Sequence, residues 1–168
     1  WGKINKRWII ILNKYSDNKE NNSRYGMIDC ERDGDCFFHC IANALNERDI
    51  YTDNYYVSQD IRKMISDNIS REQYNFMIST YRCMKDADDF NEGWDPYEID
   101  SLEDFKECIE TSGHVYWGDY MLLQLLCEIL KINIFILKST EYDNDYSIYN
   151  TMCEYKRDYD TIFLILEN

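Results

Sequence analysis

Proline is nearly absent from this chain, which contains a single one, and this argues against a proline-rich linker between domains. Long apolar runs are also lacking, because none approaches the ~20 residues that a membrane-spanning helix requires. The N-terminal segment holds basic residues and a short apolar run but no small-residue cleavage site, so it does not resemble a signal peptide. Internal repeats and low-complexity tracts are missing too. These absences favour an ordinary globular domain without a membrane-spanning helix.

Positive charge is in deficit as well. The chain has 18 lysine and arginine residues against 32 aspartate and glutamate residues, which gives a net charge of −14. Nucleic acids and anionic membranes both attract basic surfaces, so we expect neither as a partner. Electrostatic steering favours a partner with a basic face, although the acidity is also consistent with a role in solubility alone.

The chain does contain enough apolar material for one core. Its 168 residues are 45 % apolar and 15 % aromatic, which suits a single folded domain that we expect to be monomeric. The seven cysteines are odd in number and lack a framework spacing, so we expect reduced thiols in an intracellular, cytoplasmic compartment. Three of them fall in helix-like segments and are expected to be small buried side chains: Cys83, Cys108 and Cys127.

Apolar periodicity predicts both helices and strands. Helical spacing recurs in the segments 36–47, 57–69, 71–84, 102–110 and 117–131. Short apolar segments predict strands over 132–137, 147–151 and 160–168. The segment 7–12 fits either a strand or a helix, and polar loops are expected over 13–24 and 85–100. Helices followed by strands interleaved with one helix indicate an α/β or α+β fold.

Side chains at the helix ends support these boundaries. Ser101 followed by Asp104 is typical of a capping box that opens a helix, and Gly113 stands where a C-cap would end that helix. Asp119 is suited to cap the N-terminus of the most apolar helix.

The densest group of reactive side chains is the segment DGDCFFHC, residues 33–40. Together with Cys30, the residues Cys36, His39 and Cys40 offer four soft ligands for zinc. Zinc sites favour short cysteine knuckles on loops, however, whereas Cys36 and Cys40 are one helical turn apart and no second knuckle occurs elsewhere. We therefore expect no bound metal, and zinc stays the minor alternative.

Two other interpretations of this segment are a packed corner of the core and the position of a nucleophile. Core packing suits Cys40 but not Cys36, which follows a polar Asp-Gly-Asp turn. The nucleophile interpretation explains more. Gly34 allows a tight turn, and Cys36 would then begin a helix whose dipole and free N–H groups lower the thiol pKa from about 8.5. The same N–H groups could bind the oxyanion of a tetrahedral intermediate.

The stretch DGDCFFHCIANAL resembles the signature of the ovarian tumour (OTU) family of cysteine deubiquitinases. That signature runs Asp-Gly-x-Cys, then a bulky apolar pair, then a helix with small and aliphatic residues. A second block, YWGDYMLLQLLCEILKINIFIL at 116–137, looks like the family's Trp-Gly segment with the helix and strand that follow it. The stretch YDTIFLIL looks like the strand before the family's catalytic histidine. Because the resemblance covers residues 25–168, we expect 1–24 to be an N-terminal extension that packs on an OTU-like catalytic domain.

The resemblance implies a papain-type cysteine protease fold, with a small central β-sheet flanked by helices. It makes Cys36 the nucleophile, places Asp33 at the motif aspartate and implies no cofactor. The implied reaction is attack on the (iso)peptide bond at the C-terminus of ubiquitin, through an acyl-thioester that water hydrolyses. Ubiquitin or polyubiquitin is the implied partner.

The departure from the family pattern concerns histidine. His39 and His114 are the chain's two histidines, and neither matches the family's base, which follows the final strand. We expect His39 to be a polar residue on a helix face and His114 to be a solvated loop residue. The catalytic histidine is expected within a few residues beyond Asn168 in the natural protein, followed by an aromatic residue. The alternative function is a catalytically silent OTU-like module that binds ubiquitin or another protein.

Overall fold

The computed structural model describes residues 2–15, 25–30, 33–140, 145–150 and 153–166. Within these ranges the chain forms six helices and three strands. The helices are α1 (Lys6–Tyr15), α2 (Cys36–Arg48), α3 (Ser58–Asn68), α4 (Arg71–Asp86), α5 (Leu102–Glu110) and α6 (Tyr120–Leu130). The strands are β1 (Ile132–Thr140), β2 (Asp145–Asn150) and β3 (Asp160–Leu166).

Strand β1 lies at the centre of a three-stranded sheet in the order β2–β1–β3. β2 is antiparallel to β1, with Ile148 opposite Leu137. β3 is parallel to β1, with Ile162 opposite Ile134. A parallel neighbour cannot follow through a tight hairpin, and here the chain forms β2 before it returns beside the other edge of β1.

The main core lies among helices α2 to α6 and the sheet. Helix α2 contributes Phe38, Ile41 and Leu45, which recur at the spacing of an apolar helix face and are buried. Helix α3 packs against α2 and α5, and α6 packs against β1. The largest aromatic side chains that are fully buried all belong to this core: Tyr81, Tyr116, Phe38 and Phe105. This packing fixes the relative positions of α2, α3 and α5.

A second, smaller apolar cluster joins the N-terminal helix to the sheet. Trp8 and Leu12 of α1 are buried together with Leu137 of β1. Gly2 also pairs with Met27 through an isolated β-bridge. The apolar cluster attaches α1 to the sheet, and the bridge joins Gly2 to the segment 25–30.

Several helices begin at side-chain caps. Ser70 starts α4 with a full capping box, in which its hydroxyl accepts from the Gln73 N–H and the Gln73 side chain accepts from the Ser70 N–H. Ser101 caps α5, and Asp119 caps α6, each by accepting a hydrogen bond from an N–H of the following turn. The cap predicted at Asp119 is confirmed. Ser101 also caps its helix, but the predicted capping box is incomplete among the described residues, because the Asp104 side chain does not accept from the Ser101 N–H.

The mixed helix-and-sheet class predicted from the sequence is confirmed, with a small sheet and flanking helices. Segment 7–12 belongs to helix α1, and that helix continues to Tyr15, so the loop predicted from residue 13 was placed too early. Parts of one predicted loop and two predicted strands lie outside the described residues: 16–24, 151, 167 and 168. None of the described helices combines the length and apolarity needed to cross a bilayer.

Two expectations about single residues are wrong. Gly113 does not cap α5, because that helix ends at Glu110 and its C-cap is Thr111. Cys83 is exposed on α4, although the other two helical cysteines are buried as expected. Gly113 instead has a φ of +85° in the segment after α5, where it lies beside the start of α2.

Candidate active site

A tight turn leads into Cys36 at the start of α2. Gly34 has a φ of +85°, in the left-handed region that glycine enters without strain. Cys36 is the first residue of α2, and its side chain is exposed. The first N–H groups of a helix lack partners within the helix, and they favour negative charge nearby. The thiol therefore lies beside N–H groups that can bind an oxyanion.

Asp33 forms two hydrogen bonds across this turn. Its Oδ1 accepts one from the Asp35 N–H, with 3.0 Å between N and O, and its Oδ2 lies 3.2 Å from His39 Nε2. Burial acts to raise the pKa of Asp33, but the Asp35 N–H and the His39 ring outweigh this effect and hold that pKa below its ordinary value. Asp33 is thus a carboxylate that joins the turn to the His39 ring.

The side chain of Asp35 is buried, and it meets Arg62 of α3. Asp35 Oδ1 accepts hydrogen bonds from Arg62 Nε at 2.9 Å, from Arg62 Nη2 and from the Gly113 N–H at 3.0 Å. Arg62 is fully buried, and it also donates to Ile109 O at 2.7 Å and to Tyr116 O at 2.9 Å. One buried ion pair therefore links the start of α2 to α3, to the end of α5 and to the segment that follows α5.

The segment 113–118 packs directly against the turn and the first residues of α2. Gly34 lies so close to the backbone of Gly113 and His114 that a side chain at position 34 would overlap them. Gly118 packs in the same way against the ring of Phe37 on α2. The absence of side chains at these positions lets the two segments approach closely beside Cys36.

Trp117 adds an aromatic surface to this segment. Its indole Nε1 donates to His114 O at 3.1 Å, and the Trp117 and His114 rings lie 5.5 Å apart. Its main-chain N–H donates to Glu92 Oε2 at 2.7 Å. Burial raises the pKa of Glu92, and the hydrogen bond from Trp117 opposes that rise. The Trp117 side chain itself is exposed, so an aromatic surface lies in the segment that packs on the turn before Cys36.

Asp33 and Cys36 lie in one turn, and among the described residues no side chain is hydrogen-bonded to the Cys36 thiol as a proton acceptor. In the part of the chain that the structure describes, no hydrogen bond joins the Cys36 thiol to His39 or His114. The His39 ring is bonded to Asp33, and the His114 ring lies beside Trp117. The catalytic roles of Asp33 and Cys36 remain predictions.

Of the four side chains considered as zinc ligands, which are Cys30, Cys36, His39 and Cys40, only two are in contact. Cys30 and Cys40 are in contact, with 3.1 Å between their sulfur atoms. Burial, reinforced by Cys30, raises the pKa of the Cys40 thiol, which disfavours the thiolate that zinc binds. Cys36 is exposed at the helix start. This arrangement favours a packed pair of thiols over a metal centre.

A second cluster of possible ligands lies within the turn. One ligand atom from each of Asp33, Asp35 and His39 falls within 4.8 Å of the others, among the described residues. Asp35 already pairs with Arg62, and Asp33 with His39. A cation at this point would lie next to the buried positive charge of Arg62, which disfavours its binding, and the hydrogen bonds of the cluster already explain it.

Arg62 is a residue of this region that was not predicted from the sequence. Positions 58, 61, 62, 65 and 66 form the buried face of α3. A charged residue on the buried face of an amphipathic helix needs a buried partner of opposite charge. The helical spacing of Arg62 with Ile61 and Ile65 was therefore a signal, but it could not identify Asp35 as the partner.

Comparisons with known proteins identify the family of the chain. A family model described as OTU-like cysteine protease matches residues 31–164. Among solved structures, the chain is similar to the OTU domain of OTUD1, with a TM-score of 0.51 and 11 % identity, over 82 % of this chain and 76 % of that one. It is also similar to an OTU deubiquitinase from Wolbachia pipientis wMel bound to ubiquitin, with a TM-score of 0.49 and 14 % identity, over 83 % of this chain and 87 % of that one. A search of curated proteins found no match.

Six described helices flank a small three-stranded sheet, and this architecture is consistent with the papain-type cysteine protease fold. The family match spans most of the chain, and the chain therefore belongs to the OTU-like cysteine protease family. The resemblance seen in the two sequence blocks is confirmed, and so is the fold that it implied.

Proposed function

We propose that the protein is a cysteine-dependent deubiquitinase that hydrolyses (iso)peptide bonds at the C-terminus of ubiquitin. The observation that carries this proposal is the exposed Cys36 thiol at the N-terminus of α2, directly after the left-handed Gly34 turn. Membership of a cysteine protease family supports the reaction class. The resemblance of the DGDC signature to OTU deubiquitinases supports the substrate class.

The reaction begins when the Cys36 thiolate adds to the carbonyl carbon of the scissile bond and the carbonyl oxygen becomes an oxyanion. Free N–H groups at the start of α2 stabilise this charge. Collapse of the intermediate expels the amine, which takes up a proton, and leaves ubiquitin joined to Cys36 as a thioester. Water then adds to the thioester, and the thiolate departs. Asp33 acts by holding the turn through the Asp35 N–H.

Both steps need a group that accepts a proton and returns it, and in papain-type enzymes a histidine has this role. General acid–base help of this kind is worth ~10²–10⁴-fold in rate. The proposal takes residues 25–168 as the catalytic domain and 1–24 as an extension packed on it. The protein acts as a monomer on ubiquitin or polyubiquitin in the cytoplasm, where its seven free thiols stay reduced.

The test uses the protein at its full natural length and a ubiquitin probe with a C-terminal electrophile. We expect one probe per chain, attached at Cys36, and cleavage of polyubiquitin by the same preparation. Cys36→Ala abolishes both. Cys83→Ala is the matched control, because Cys83 is also an exposed thiol but lies on α4. Attachment of the probe to Cys83 or Cys40 instead of Cys36 would overturn the assignment of the nucleophile.

A second candidate function is a silent module that binds ubiquitin without cutting it. It is favoured by one observation: among the described residues, no hydrogen bond connects the Cys36 thiol with either histidine. Titration of the full-length protein with ubiquitin distinguishes the two functions. Saturable binding without cleavage and without labelling of Cys36 supports the silent module, whereas cleavage excludes it.

A further inference from the structure

Cys30 and Cys40 form a close pair of thiols on either side of the turn that leads into Cys36. The Cys40 Sγ donates a hydrogen bond to the Cys30 Sγ over 3.1 Å, and Asn43 Nδ2 donates to the same sulfur at 3.5 Å. Cys30 ends the segment 25–30, whereas Cys40 and Asn43 lie on α2. A disulfide has an S–S distance of about 2.05 Å, so the two sulfur atoms need to approach by only about 1 Å more.

This pair differs from the other cysteines in its access to solvent. Cys30 and Cys40 are each half-buried, so a small oxidant can reach the pair. A hydrogen bond also joins Cys127 to Cys153, but Cys127 is buried on α6. Among the described residues, Cys30 and Cys40 are therefore the contacting thiols of which neither is buried.

We propose that Cys30 and Cys40 are a modification site, at which hydrogen peroxide converts the two thiols into a reversible disulfide. This inference does not depend on the proposed function at Cys36. Disulfides in a reducing compartment are mostly transient, and they serve catalysis or redox sensing. The bond would close a loop of chain, 30–40, that contains the Gly34 turn and Cys36. Oxidation therefore ties the segment 25–30 to α2 across that turn.

The reaction takes two steps, and each releases water. The first sulfur attacks a peroxide oxygen, the O–O bond breaks, and a sulfenic acid forms while the thiol proton leaves with the other oxygen as water. The second thiol attacks the sulfenic sulfur, the S–O bond breaks, and its proton leaves with the hydroxyl group as water. Two thiols are oxidised and one peroxide is reduced. Burial, reinforced by Cys30, raises the pKa of Cys40, so Cys40 keeps its proton and the first attack is assigned to Cys30.

The first test uses the wild-type protein at its full natural length, treated with increasing concentrations of hydrogen peroxide. Remaining thiols are alkylated, and the peptides are mapped by mass spectrometry without reduction. We expect a cross-linked peptide that joins Cys30 to Cys40 before any other pair is linked, and dithiothreitol should restore both thiols by exchange. Protein oxidised in denaturant is the control. It should give a mixture of pairings, because the fold brings these two sulfur atoms together.

Three outcomes of this mapping would overturn the proposal. One is the same mixture of pairings in the folded and the unfolded protein. Another is a cross-link between Cys127 and Cys153 that forms at a lower peroxide concentration. The third is sulfinic acid at Cys30 or Cys40 without a disulfide, which would show that the second thiol does not reach the sulfenic acid.

The second test measures what the bond does to the structure. Closing the loop 30–40 restricts the unfolded chain, so we expect oxidation to raise the midpoint of thermal unfolding by roughly 5 °C or more. Cys30→Ser should abolish both the cross-link and this rise, and Cys40→Ser replaces it if that variant does not fold. Cys153→Ser is the matched control, because Cys153 is also half-buried and contacts another thiol; it should keep both effects.

A rise of the midpoint that persists in Cys30→Ser would contradict its origin in this disulfide. A cross-linked wild type without any rise would contradict the tie between the segment 25–30 and α2. Neither test measures ubiquitin cleavage. A protein that forms the disulfide but cleaves no ubiquitin therefore contradicts the proposed function alone, and a protein that cleaves ubiquitin but forms no disulfide contradicts this inference alone.

Discussion

Gly34 and Gly113 are 79 positions apart in the sequence, yet a Cβ built on Gly34 would lie 2.6 Å from the carbonyl carbon of Gly113. Both residues have a φ of +85°. The two glycines therefore share a backbone conformation but differ in the space around them, because a Cβ on Gly113 would meet no atom within 4 Å. This difference allows the cost of the conformation to be separated from the cost of a clash.

Gly34→Ala should be strongly destabilising, whereas Gly113→Ala should be mildly so. The left-handed conformation costs roughly 1–2 kcal/mol for a residue with a Cβ, and overpacking adds roughly 1–3 kcal/mol at position 34 alone. Chemical denaturation measures the free energy of unfolding of each variant. Gly2→Ala, where a Cβ would make an ordinary 3.4 Å contact, is the control. Equal losses of unfolding free energy for Gly34→Ala and Gly113→Ala would show that the backbone does not approach position 34 closely enough to exclude a Cβ.

Gly118→Ala should act through Phe37. A Cβ at position 118 would overlap the Phe37 ring, so we expect a loss of roughly 1–3 kcal/mol in the free energy of unfolding. Phe37→Ala removes the ring that the new Cβ would overlap. The double variant should therefore lose less stability than the sum of the two single variants. If the losses in the free energy of unfolding were strictly additive in a double-mutant cycle, the side chains at the two positions would not be in contact.

The sequence predicted those parts of the fold that depend on local patterns. The start of α2 at Cys36 followed from the Gly34 turn and the apolar periodicity after it, and the cap at Asp119 followed from its place before an apolar helix. Gly113 was misjudged because a glycine shortly after a helix is typical of a C-cap, whereas this glycine serves a contact with a distant turn. The pairing of Asp35 with Arg62 depends on how α2 and α3 pack, and no local pattern contains that information.

Asp119→Ala should destabilise the protein more than Asp119→Asn. Asp119 caps α6 and accepts a hydrogen bond from the Tyr81 hydroxyl at 2.7 Å. Loss of a cap costs ~1 kcal/mol, and an unsatisfied buried hydroxyl costs roughly 1–3 kcal/mol more. Asparagine keeps an oxygen acceptor and is also a good cap. Thermal denaturation ranks the stabilities of the two variants. Equal losses of stability would show that the oxygen retained by asparagine does not matter.

The same residue should make stability depend on pH. Burial raises the pKa of Asp119 above its ordinary value of 3.8, although its hydrogen bonds oppose the rise. The folded protein therefore binds this proton more readily than the unfolded chain, and the contribution of Asp119 to stability falls as pH rises between the two pKa values. Asp119→Asn should remove that slope. An unchanged pH profile of unfolding in the variant would contradict the raised pKa.

His39→Ala should raise the pKa of Asp33 towards its ordinary value. The Asp33 pKa is depressed by the Asp35 N–H and the His39 ring in spite of burial, and only the second of these is lost in the variant. A depressed pKa means that the stability Asp33 provides is present above its unfolded-state pKa and is lost as pH falls through the folded-state value. The Asp33 pKa is measured from its carboxyl chemical shift during a pH titration. An Asp33 pKa that is the same in the variant and the wild type would show that His39 does not lower it.

Purified protein should contain no stoichiometric zinc, and chelator should leave its thermal unfolding unchanged. The Cys30 and Cys40 thiols are in contact, and the raised pKa of Cys40 disfavours the thiolate that a zinc site needs. Elemental analysis gives the zinc content directly. About one zinc per chain, together with unfolding in chelator, would restore the metal interpretation of the segment 33–40.

The bonds that hold the start of α2 join residues far apart along the chain: Asp35 is 27 positions from Arg62 and 78 from Gly113. During synthesis the ribosome completes α2 long before it adds the segment that follows α5. Until that segment emerges, Arg62 lacks the carbonyl oxygens of Ile109 and Tyr116, and Asp35 lacks the Gly113 N–H. A nascent chain, or a fragment that stops before α5, would therefore carry Cys36 on a turn that its distant partners do not yet hold. The arrangement around Cys36 forms only with the complete tertiary structure.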